Sequence, residues 1–185
     1  KDDYLIDVDK TPEPAAEGEA PKMGVKYDKT ITLQDVAKDE SLWDAFLDQL
    51  TLDEMTMLVI NGGYETHGVE RLGIPHTMDN DGPSSVKGRN GLVYTDSGTA
   101  YPCATAIGCT WNVDLAYEMG KGAGKEAVDM GTDTWYAPGA NIHRNPRGGR
   151  NFEYFSEDPI ISGIMAAEII KGANSESLVT TIKHF

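Results

Sequence analysis

The hydrophobic residues of the chain predict two helices in the region before residue 64. In the first helix, apolar side chains recur with a helical period at Leu42, Trp43, Phe46, Leu47 and Leu50. Thr51 and Glu54 then have the spacing of a capping box, in which each side chain accepts a hydrogen bond from the other residue's backbone N–H. A second helix is therefore predicted to begin after Thr51 and to end at residues 61–63, Asn-Gly-Gly.

Four apolar segments further along the chain predict short strands. They are residues 74–81, 104–111, 134–137 and 178–185. Residues 84–100, between the first two segments, are rich in glycine, serine and asparagine and predict a long surface loop.

Two longer helices are predicted between the strands. The first begins after the N-cap Asn112 and continues to Val128. The second has Asp158 as its N-cap, Pro159 at its first position and Gly172 at its end. The residues of the second helix that are predicted to face inward are Ile160, Ile164, Ala167 and Ile170.

The first of these helices contains Gly120, Gly122 and Gly124, a spacing that suggests comparison with nucleotide-binding loops. A dinucleotide-binding fingerprint would need glycine at Lys125, and a P-loop would need glycine at Met119. Because neither motif fits, the glycines are predicted to let the helix pack closely on a sheet.

The alternation of strands with helices predicts an α/β fold with a parallel sheet. Polar residues follow three of the strands: Asp79 and Asp81, then residues 141–150, then Lys183 and His184. In a (β/α)8 barrel this end of the strands forms the rim that binds ligands. Since a complete barrel takes about 250 residues, we expect the first half of a TIM-like (β/α)8 barrel.

The amino-terminal segment has a different composition from the rest of the chain. Residues 1–29 are polar, and residues 11–21 are a mixture of proline, glutamate and alanine that predicts a flexible acidic linker. We expect residues 1–29 to be this linker or the tail of an upstream domain, with apolar residues 4–8 as the end of that domain. Residues 30–185 are then the barrel segment.

Charge and composition exclude several classes of partner. Sixteen Lys and Arg against 30 Asp and Glu give a net charge of −14, which disfavours a nucleic-acid partner. No run of about 18 apolar residues is present, so no membrane partner is predicted. The two cysteines and four histidines have no zinc-binding spacing, and no metal site is predicted. The sequence does not indicate a compartment.

The loop at residues 141–159 has the densest chemistry in the chain. Arg144, Arg147 and Arg150 surround two adjacent glycines, and Glu153 and Glu157 follow. An arginine held by a carboxylate can bind vicinal hydroxyls in a fixed geometry, which suits a sugar. The alternative is a solvated turn with incidental charges.

Several motifs, in this order, resemble the N-terminal barrel of glycoside hydrolase family 3, of the β-glucosidase type. They are Asp-Gly-Pro at 81–83, Trp-Asn at 111–112, Ala-Pro-Gly-Ala-Asn-Ile at 137–142, the long Arg-Asn-Pro to Glu-Asp-Pro run at 144–159, and Lys-His-Phe at 183–185. The resemblance covers residues 42–185, and the 144–159 run is its most specific part.

The resemblance implies a pocket for the non-reducing sugar, formed by Asp81, Arg150, Lys183 and His184. A carboxylate accepts hydrogen bonds from sugar hydroxyls, and the three basic side chains are expected to donate others. For each residue a purely structural role remains the alternative, which for Arg150 means a pair with Glu153 or Glu157.

The resemblance also implies hydrolysis of terminal non-reducing β-D-glucosyl residues by a retaining mechanism with two carboxylates. No catalytic residue is expected in this chain, because the family's nucleophilic aspartate follows the motif that ends at Phe185. The acid/base glutamate is expected from an α/β sandwich domain. The implied partners are a β-glucoside or oligosaccharide, the rest of the barrel and that domain, and no cofactor is implied.

Two kinds of alternative stay open at this point. One is a β-N-acetylglucosaminidase or β-xylosidase of the same family, although residues 156–159 and their long Arg-Asn-Pro lead favour the glucosidase branch over the glucosaminidase branch. The other is a non-catalytic carbohydrate-binding fragment. The chain alone is expected to be inactive under either kind of reading.

Overall fold

A computed structural model describes residues 21–90 and 93–184. Residues 1–20, which include most of the predicted linker and the apolar residues 4–8, lie outside the described part, as does Phe185. Where the description begins, the chain lies against the first helical region, since the backbone N–H groups of Gly24 and Val25 donate to the carbonyl oxygens of Leu50 and Asp48 at 2.9 Å each.

The described residues form six α-helices and six strands, with short 3-10 turns between them. The helices are α1 (Leu33–Val36), α2 (Trp43–Asp48), α3 (Leu52–Ile60), α4 (Ala104–Thr110), α5 (Val113–Asp129) and α6 (Pro159–Ser175). The strands are β1 (Glu65–Thr66), β2 (Thr77–Asn80), β3 (Lys87–Asn90), β4 (Val93–Ser97), β5 (Thr134–Trp135) and β6 (Val179–Thr180).

The main sheet has the order β1-β2-β5-β6. Strands β2, β5 and β6 are parallel, with Asn80 opposite Trp135 and Trp135 opposite Thr180, whereas β1 pairs antiparallel with β2. Trp135 of β5, and Leu178 directly before β6, are buried in the same core as α5 and α6. Parallel strands with their helices on one side form the wall of a (β/α)8 barrel. The predicted α/β class and parallel sheet are confirmed.

The helix caps follow the sequence closely. Thr51 and Glu54 form the predicted capping box at the start of α3, and the Asn112 side chain accepts from the Leu115 N–H at the start of α5. At α6, the Asp158 carboxylate accepts from two backbone N–H groups beside Pro159. These side chains accept hydrogen bonds from backbone N–H groups that lack partners within the helix. Short sequence motifs therefore determine where these helices begin.

The strand predicted at residues 104–111 is wrong, because this segment is α4. Its buried residues Ala104, Ile107 and Gly108 have the i, i+3, i+4 spacing of a helix, and the helix ends at Trp111 with a left-handed φ of 54°. Gly108 lies against the Phe155 backbone so closely that a Cβ would overlap the Phe155 carbonyl oxygen. The parallel sheet of the described residues therefore has three strands, one fewer than expected.

The long surface loop predicted at residues 84–100 is also wrong. Strands β3 and β4 form an antiparallel hairpin there, with an irregularity between Gly88 and Arg89. The Glu126 carboxylate of α5 accepts from the Thr99 N–H at 2.8 Å and so fixes the end of the hairpin against the helix.

Close packing through glycine is confirmed, but its partner is a helix and not the predicted sheet. A Cβ at Gly120 would overlap the carbonyl oxygen of Ile169 in α6, and one at Gly124 would lie 2.9 Å from Ala173. The backbones of α5 and α6 can approach each other only because these positions lack side chains.

The predicted inward face of α6 is wrong as well. The buried hydrophobic residues are Met165, Ala166, Ile169 and Ala173, whereas Ile160 is 69% exposed and Ile164 is 46% exposed. Ala167 and Ile170 are only half-buried, and the helix continues past Gly172 to Ser175. Because apolar residues surround most of this helix, their period does not identify one face.

Two hydrophobic cores lie in the described part of the chain. The larger packs α4, α5 and α6 onto the sheet, and the smaller joins α1 and α2 to Val69 and Leu72. No helix within residues 21–90 and 93–184 is both long and apolar enough to cross a membrane.

Candidate functional site

The Lys183 ammonium and the Asp81 carboxylate form an ion pair at the carboxyl ends of β6 and β2. Lys183 Nζ lies 2.5 Å from Asp81 Oδ1, although the two residues are 102 positions apart in the sequence. The Lys183 side chain is 12% exposed and the Asp81 side chain 37% exposed. The pair is thus partly buried, with its carboxylate open to solvent.

Backbone pairing beyond the strands places Lys183. The Lys183 N–H donates to the Pro138 carbonyl at 3.0 Å, and the Ala140 N–H donates to the Lys183 carbonyl at 2.8 Å. These bonds continue the parallel pairing of β5 with β6 up to the rim. The peptide bond between Lys183 and His184 is cis.

Asp81 is placed by a turn that needs glycine. Gly82 has a φ of +110°, and a Cβ there would overlap the Ser85 carbonyl oxygen. The Gly82 N–H donates to Asp81 Oδ1 at 2.8 Å. Burial alone would raise the pKa of the Asp81 carboxyl, but hydrogen bonds from Lys183 and Gly82 and the charges of Lys183 and Arg150 outweigh burial and lower it. Asp81 is therefore a carboxylate at neutral pH.

Arg150 reaches the same rim from the loop after β5. Its guanidinium donates to both oxygens of the Glu153 carboxylate at 2.7 Å each. The hydrogen bonds from Arg150 lower the pKa of Glu153 in spite of its burial. Arg150 remains 53% exposed at its side chain, so it keeps donor groups free for a ligand.

His184 is held by two side chains at the rim. Asn141 Oδ1 accepts from the His184 backbone N–H at 2.7 Å and lies 3.2 Å from His184 Nδ1. The Tyr154 hydroxyl also lies 3.2 Å from Nδ1. Desolvation and the positive charges of Arg150 and Lys183 lower the pKa of His184, so the ring is neutral at pH 7.

A second carboxylate, Asp79, lies below the rim. Tyr136 donates its hydroxyl hydrogen to Asp79 Oδ2 at 3.0 Å, while Asp79 Oδ1 is buried without a hydrogen-bond partner among the described residues. Burial and the hydrogen bond to Asp79 raise the pKa of Tyr136 to about 12. The Tyr136 ring also packs on Tyr64, with ring centroids 5.6 Å apart.

The structure brings the four sequence-predicted residues to one rim. Asp81 contacts Lys183, and the charge of Arg150 helps to lower the pKa of Asp81. Arg150, Lys183 and Asp81 all lie close enough to His184 to influence its pKa. Lys183 and His184 line an open hollow of about 280 Å³. Arg144, by contrast, is 89% exposed at its side chain and pairs with Glu157 at 3.6 Å.

Three residues at the rim were given no role from the sequence: Asn141, Tyr154 and Tyr136. Asn141 begins the polar run that the sequence predicted after β5, two residues beyond Gly139, which bridges to Lys183. Trp135 is buried in the core between the sheet and the helices. Because successive residues of a strand point to opposite faces, Tyr136 faces away from the helices. Tyr154 ends a 3-10 turn, Asn151–Glu153, that sequence periodicity does not reveal.

The rim combines acidic and basic groups without the geometry of a metal centre. No three His, Cys, Asp or Glu side chains come together as ligands within the described residues. A carboxylate beside an ammonium, a guanidinium and a neutral imidazole suits a neutral ligand with many hydroxyls, because each hydroxyl can both donate and accept.

Residues 50–185 match the model of the glycosyl hydrolase family 3 N-terminal domain. The match includes β2, β5 and β6 with all four rim residues.

Curated relatives are β-glucosidases of bacteria and fungi. β-Glucosidase A of Butyrivibrio fibrisolvens is 35% identical over 183 residues, which cover 93% of this chain and 20% of the relative. The β-glucosidase of Rhizobium radiobacter is 38% identical over 143 residues, covering 77% of this chain and 18% of the relative. The chain thus spans about a fifth of the length of these relatives.

Solved structures with a similar fold carry the same name. The β-glucosidase of Paenibacillus barengoltzii gives a TM-score of 0.69 at 32% identity, covering 90% of this chain and 19% of that one. β-Glucosidase 3B of Thermotoga neapolitana, in complex with α-D-glucose, gives 0.60 at 42% identity, covering 65% and 17%. These likenesses confirm the predicted TIM-like barrel fold.

Proposed function

The chain belongs to glycoside hydrolase family 3, and from this premise we propose that it supplies the sugar-binding part of a β-glucosidase. The complete enzyme would remove terminal non-reducing β-D-glucosyl residues from a β-glucoside or an oligosaccharide. The curated relatives are β-glucosidases, and the Thermotoga neapolitana enzyme was solved with glucose bound.

The observation that carries the proposal is the contact between Lys183 and Asp81, with Arg150 and His184 beside it. We assign these four residues to the pocket for the non-reducing sugar. Asp81 would accept from hydroxyls of the pyranose, and Lys183 and Arg150 would donate to others. Charge-assisted bonds of this kind are about twice as strong as neutral ones, and any that tighten as the ring flattens would favour the transition state.

The catalytic carboxylates are proposed to lie outside residues 1–185. A retaining mechanism needs a nucleophile and an acid/base about 5 Å apart. Glu153 is occupied by two hydrogen bonds from Arg150, and Asp79 accepts from Tyr136, which supports a structural role for both. We propose that the nucleophilic aspartate comes from a later barrel strand and the acid/base from an α/β sandwich domain.

The same proposal gives the chain its place in a longer polypeptide. Residues 30–185 would be the first part of the barrel, and residues 1–29 would connect it to an upstream domain. The substrate, the rest of the barrel and the sandwich domain would then be the partners of this chain.

Hydrolysis assays test the proposed function. The full-length enzyme should cleave a nitrophenyl β-glucoside in preference to the matching β-xyloside and β-N-acetylglucosaminide. Asp81→Ala should lower kcat/KM by at least about 100-fold, since it removes a charged hydrogen-bonding partner in the pocket. A preference for either other glycoside would replace the glucosidase assignment, and unchanged kinetics of the Asp81 variant would refute the proposed pocket.

A further inference from the structure

Asn141 lies beside the imidazole of His184 at the rim. We infer that Asn141 is a positioning residue that holds His184 with its hydrogen on Nδ1, so that Nε2 faces the sugar as a hydrogen-bond acceptor. This inference rests on the proposed function and changes one of its details, since the histidine had been expected to donate. One oxygen atom, Asn141 Oδ1, makes two contacts with His184.

The first contact fixes the orientation of the Asn141 amide. Asn141 Oδ1 accepts from the His184 backbone N–H at 2.7 Å. Rotating the amide by 180° would place its NH2 group against this N–H, so that two donors would face each other. The oxygen therefore stays on the side of His184.

The second contact then fixes the imidazole. The same Oδ1 lies 3.2 Å from His184 Nδ1, and an amide oxygen can only accept. If Nδ1 carries the hydrogen, it donates to Asn141. If Nδ1 is bare, two lone pairs face each other at hydrogen-bond distance, which is repulsive.

Tyr154 is compatible with the Nδ1–H form and does not determine it. Its hydroxyl lies 3.2 Å from Nδ1 and can either donate or accept. Its ring packs edge-on against the imidazole, with centroids 5.9 Å apart and an interplanar angle of 84°. Tyr154 therefore limits the orientation of the ring, while Asn141 selects the tautomer.

The charges around His184 favour a neutral ring, which has one hydrogen for two nitrogens. Desolvation opposes its protonation, as do the charges of Arg150 and Lys183, whereas Glu153 and Asp81 favour it. The net effect lowers the pKa of His184. With the hydrogen on Nδ1, Nε2 is a bare acceptor. In the part of the chain that the structure describes, Nε2 has no partner, and His184 lines the hollow.

The consequence is a specific requirement on the sugar. The hydroxyl that meets His184 must donate its hydrogen, because Nε2 cannot. Fluorine in place of that hydroxyl can accept weakly but never donate. At this position the fluoro sugar should therefore bind as poorly as the deoxy sugar.

Nitrogen NMR of the full-length enzyme labelled with ¹⁵N-histidine reads the tautomer directly, with a His184→Asn variant to assign the signal. We expect Nδ1 to carry the hydrogen and Nε2 to have the shift of a bare nitrogen. Asn141→Leu should move the signal toward the Nε2–H form, whereas Tyr154→Phe, which removes the other neighbour of Nδ1, should leave the tautomer unchanged. A hydrogen on Nε2 in the wild-type enzyme, or a change of tautomer in Tyr154→Phe alone, would overturn the inference.

Inhibition by deoxy and fluorodeoxy glucoses provides a second readout. At one ring position, both analogues should bind about tenfold more weakly than glucose, as expected for one lost hydrogen bond, and His184→Ala should remove that difference. Retained affinity of the fluoro sugar at every position that depends on His184 would show that the imidazole donates. Failure of glucose itself to bind would refute the proposed function instead, and the NMR result would still decide the tautomer.

Discussion

Arg150 and Glu153 form a two-pronged ion pair in which both carboxylate oxygens accept from the guanidinium at 2.7 Å. Glu153 is only 8% exposed, whereas the Arg150 side chain is 53% exposed. A buried carboxylate therefore holds a guanidinium that stays open to solvent. This arrangement holds the guanidinium plane in one orientation near Asp81. The two readings of Arg150 from the sequence, as sugar ligand and as partner of a glutamate, are therefore compatible.

Glu153→Gln in the full-length enzyme should weaken sugar binding without removing Arg150. Glutamine can accept only one of the two hydrogen bonds and carries no charge, so the guanidinium becomes mobile. We expect KM for an aryl β-glucoside to rise about tenfold. Glu157→Gln is the matched control, because Glu157 pairs loosely with Arg144 at the surface and should change KM little. Equal effects of the two variants would contradict a role for Glu153.

Removing the charge of Lys183 should shift the pH dependence of sugar binding. Burial raises the pKa of Asp81, and Lys183 is one of the groups that outweigh burial and lower it. In Lys183→Met the pKa of Asp81 should rise, so that binding which needs the carboxylate is lost at a higher pH as the solution is acidified. Calorimetric titration with gluconolactone at several pH values measures this loss of binding on acidification.

Lys183→Arg is the control for that experiment, since it keeps the positive charge near Asp81. In this variant, the pH at which binding is lost should stay near that of the wild type, even if the affinity at neutral pH falls. If this pH shifted equally in both variants, the charge of Lys183 would not influence the pKa of Asp81.

The closeness of α5 to α6 predicts a large difference between two glycine-to-alanine substitutions. Gly120→Ala places a Cβ on the Ile169 carbonyl and should lower the free energy of unfolding by about 1–3 kcal/mol. Gly163→Ala has open space around its Cβ and lies inside α6, so it should raise stability by up to about 1 kcal/mol. Thermal unfolding compares them, and a Gly120 variant as stable as the Gly163 variant would disprove the close packing.

The isolated 185-residue chain should not hydrolyse β-glucosides. Its carboxylates near the rim are engaged by Arg150, Tyr136 and Lys183, and the proposed nucleophile and acid/base lie elsewhere. An assay of the purified chain on a nitrophenyl β-glucoside tests this. Turnover within a few orders of magnitude of an intact relative would place a catalytic pair inside the chain.

Local signals in the sequence predicted the fold class and the starts of the helices better than the packing between elements. Capping residues such as Thr51, Asn112 and Asp158 act through bonds to backbone two or three positions away, so their local signals sufficed. The Asp-Gly-Pro turn and the Lys-His motif are also local, and each was sufficient to predict residues at the rim.

Errors arose where tertiary packing decides the structure. Residues 104–111 are short and apolar, a pattern that fits a buried strand and a buried helix equally well, and contact of Gly108 with the Phe155 backbone accompanies the helix. In α6, isoleucines on several faces hid which side meets α5. The tautomer of His184 depends on Asn141, 43 positions away, and no local pattern encodes that contact.

A crystal structure of the full-length enzyme with glucose would show whether these four residues form the sugar pocket. We predict one pyranose at the rim, with Asp81, Arg150, Lys183 and His184 each within hydrogen-bond distance of its hydroxyls. Glucose bound elsewhere, or bound at this rim with two or more of these side chains turned away from it, would contradict the account.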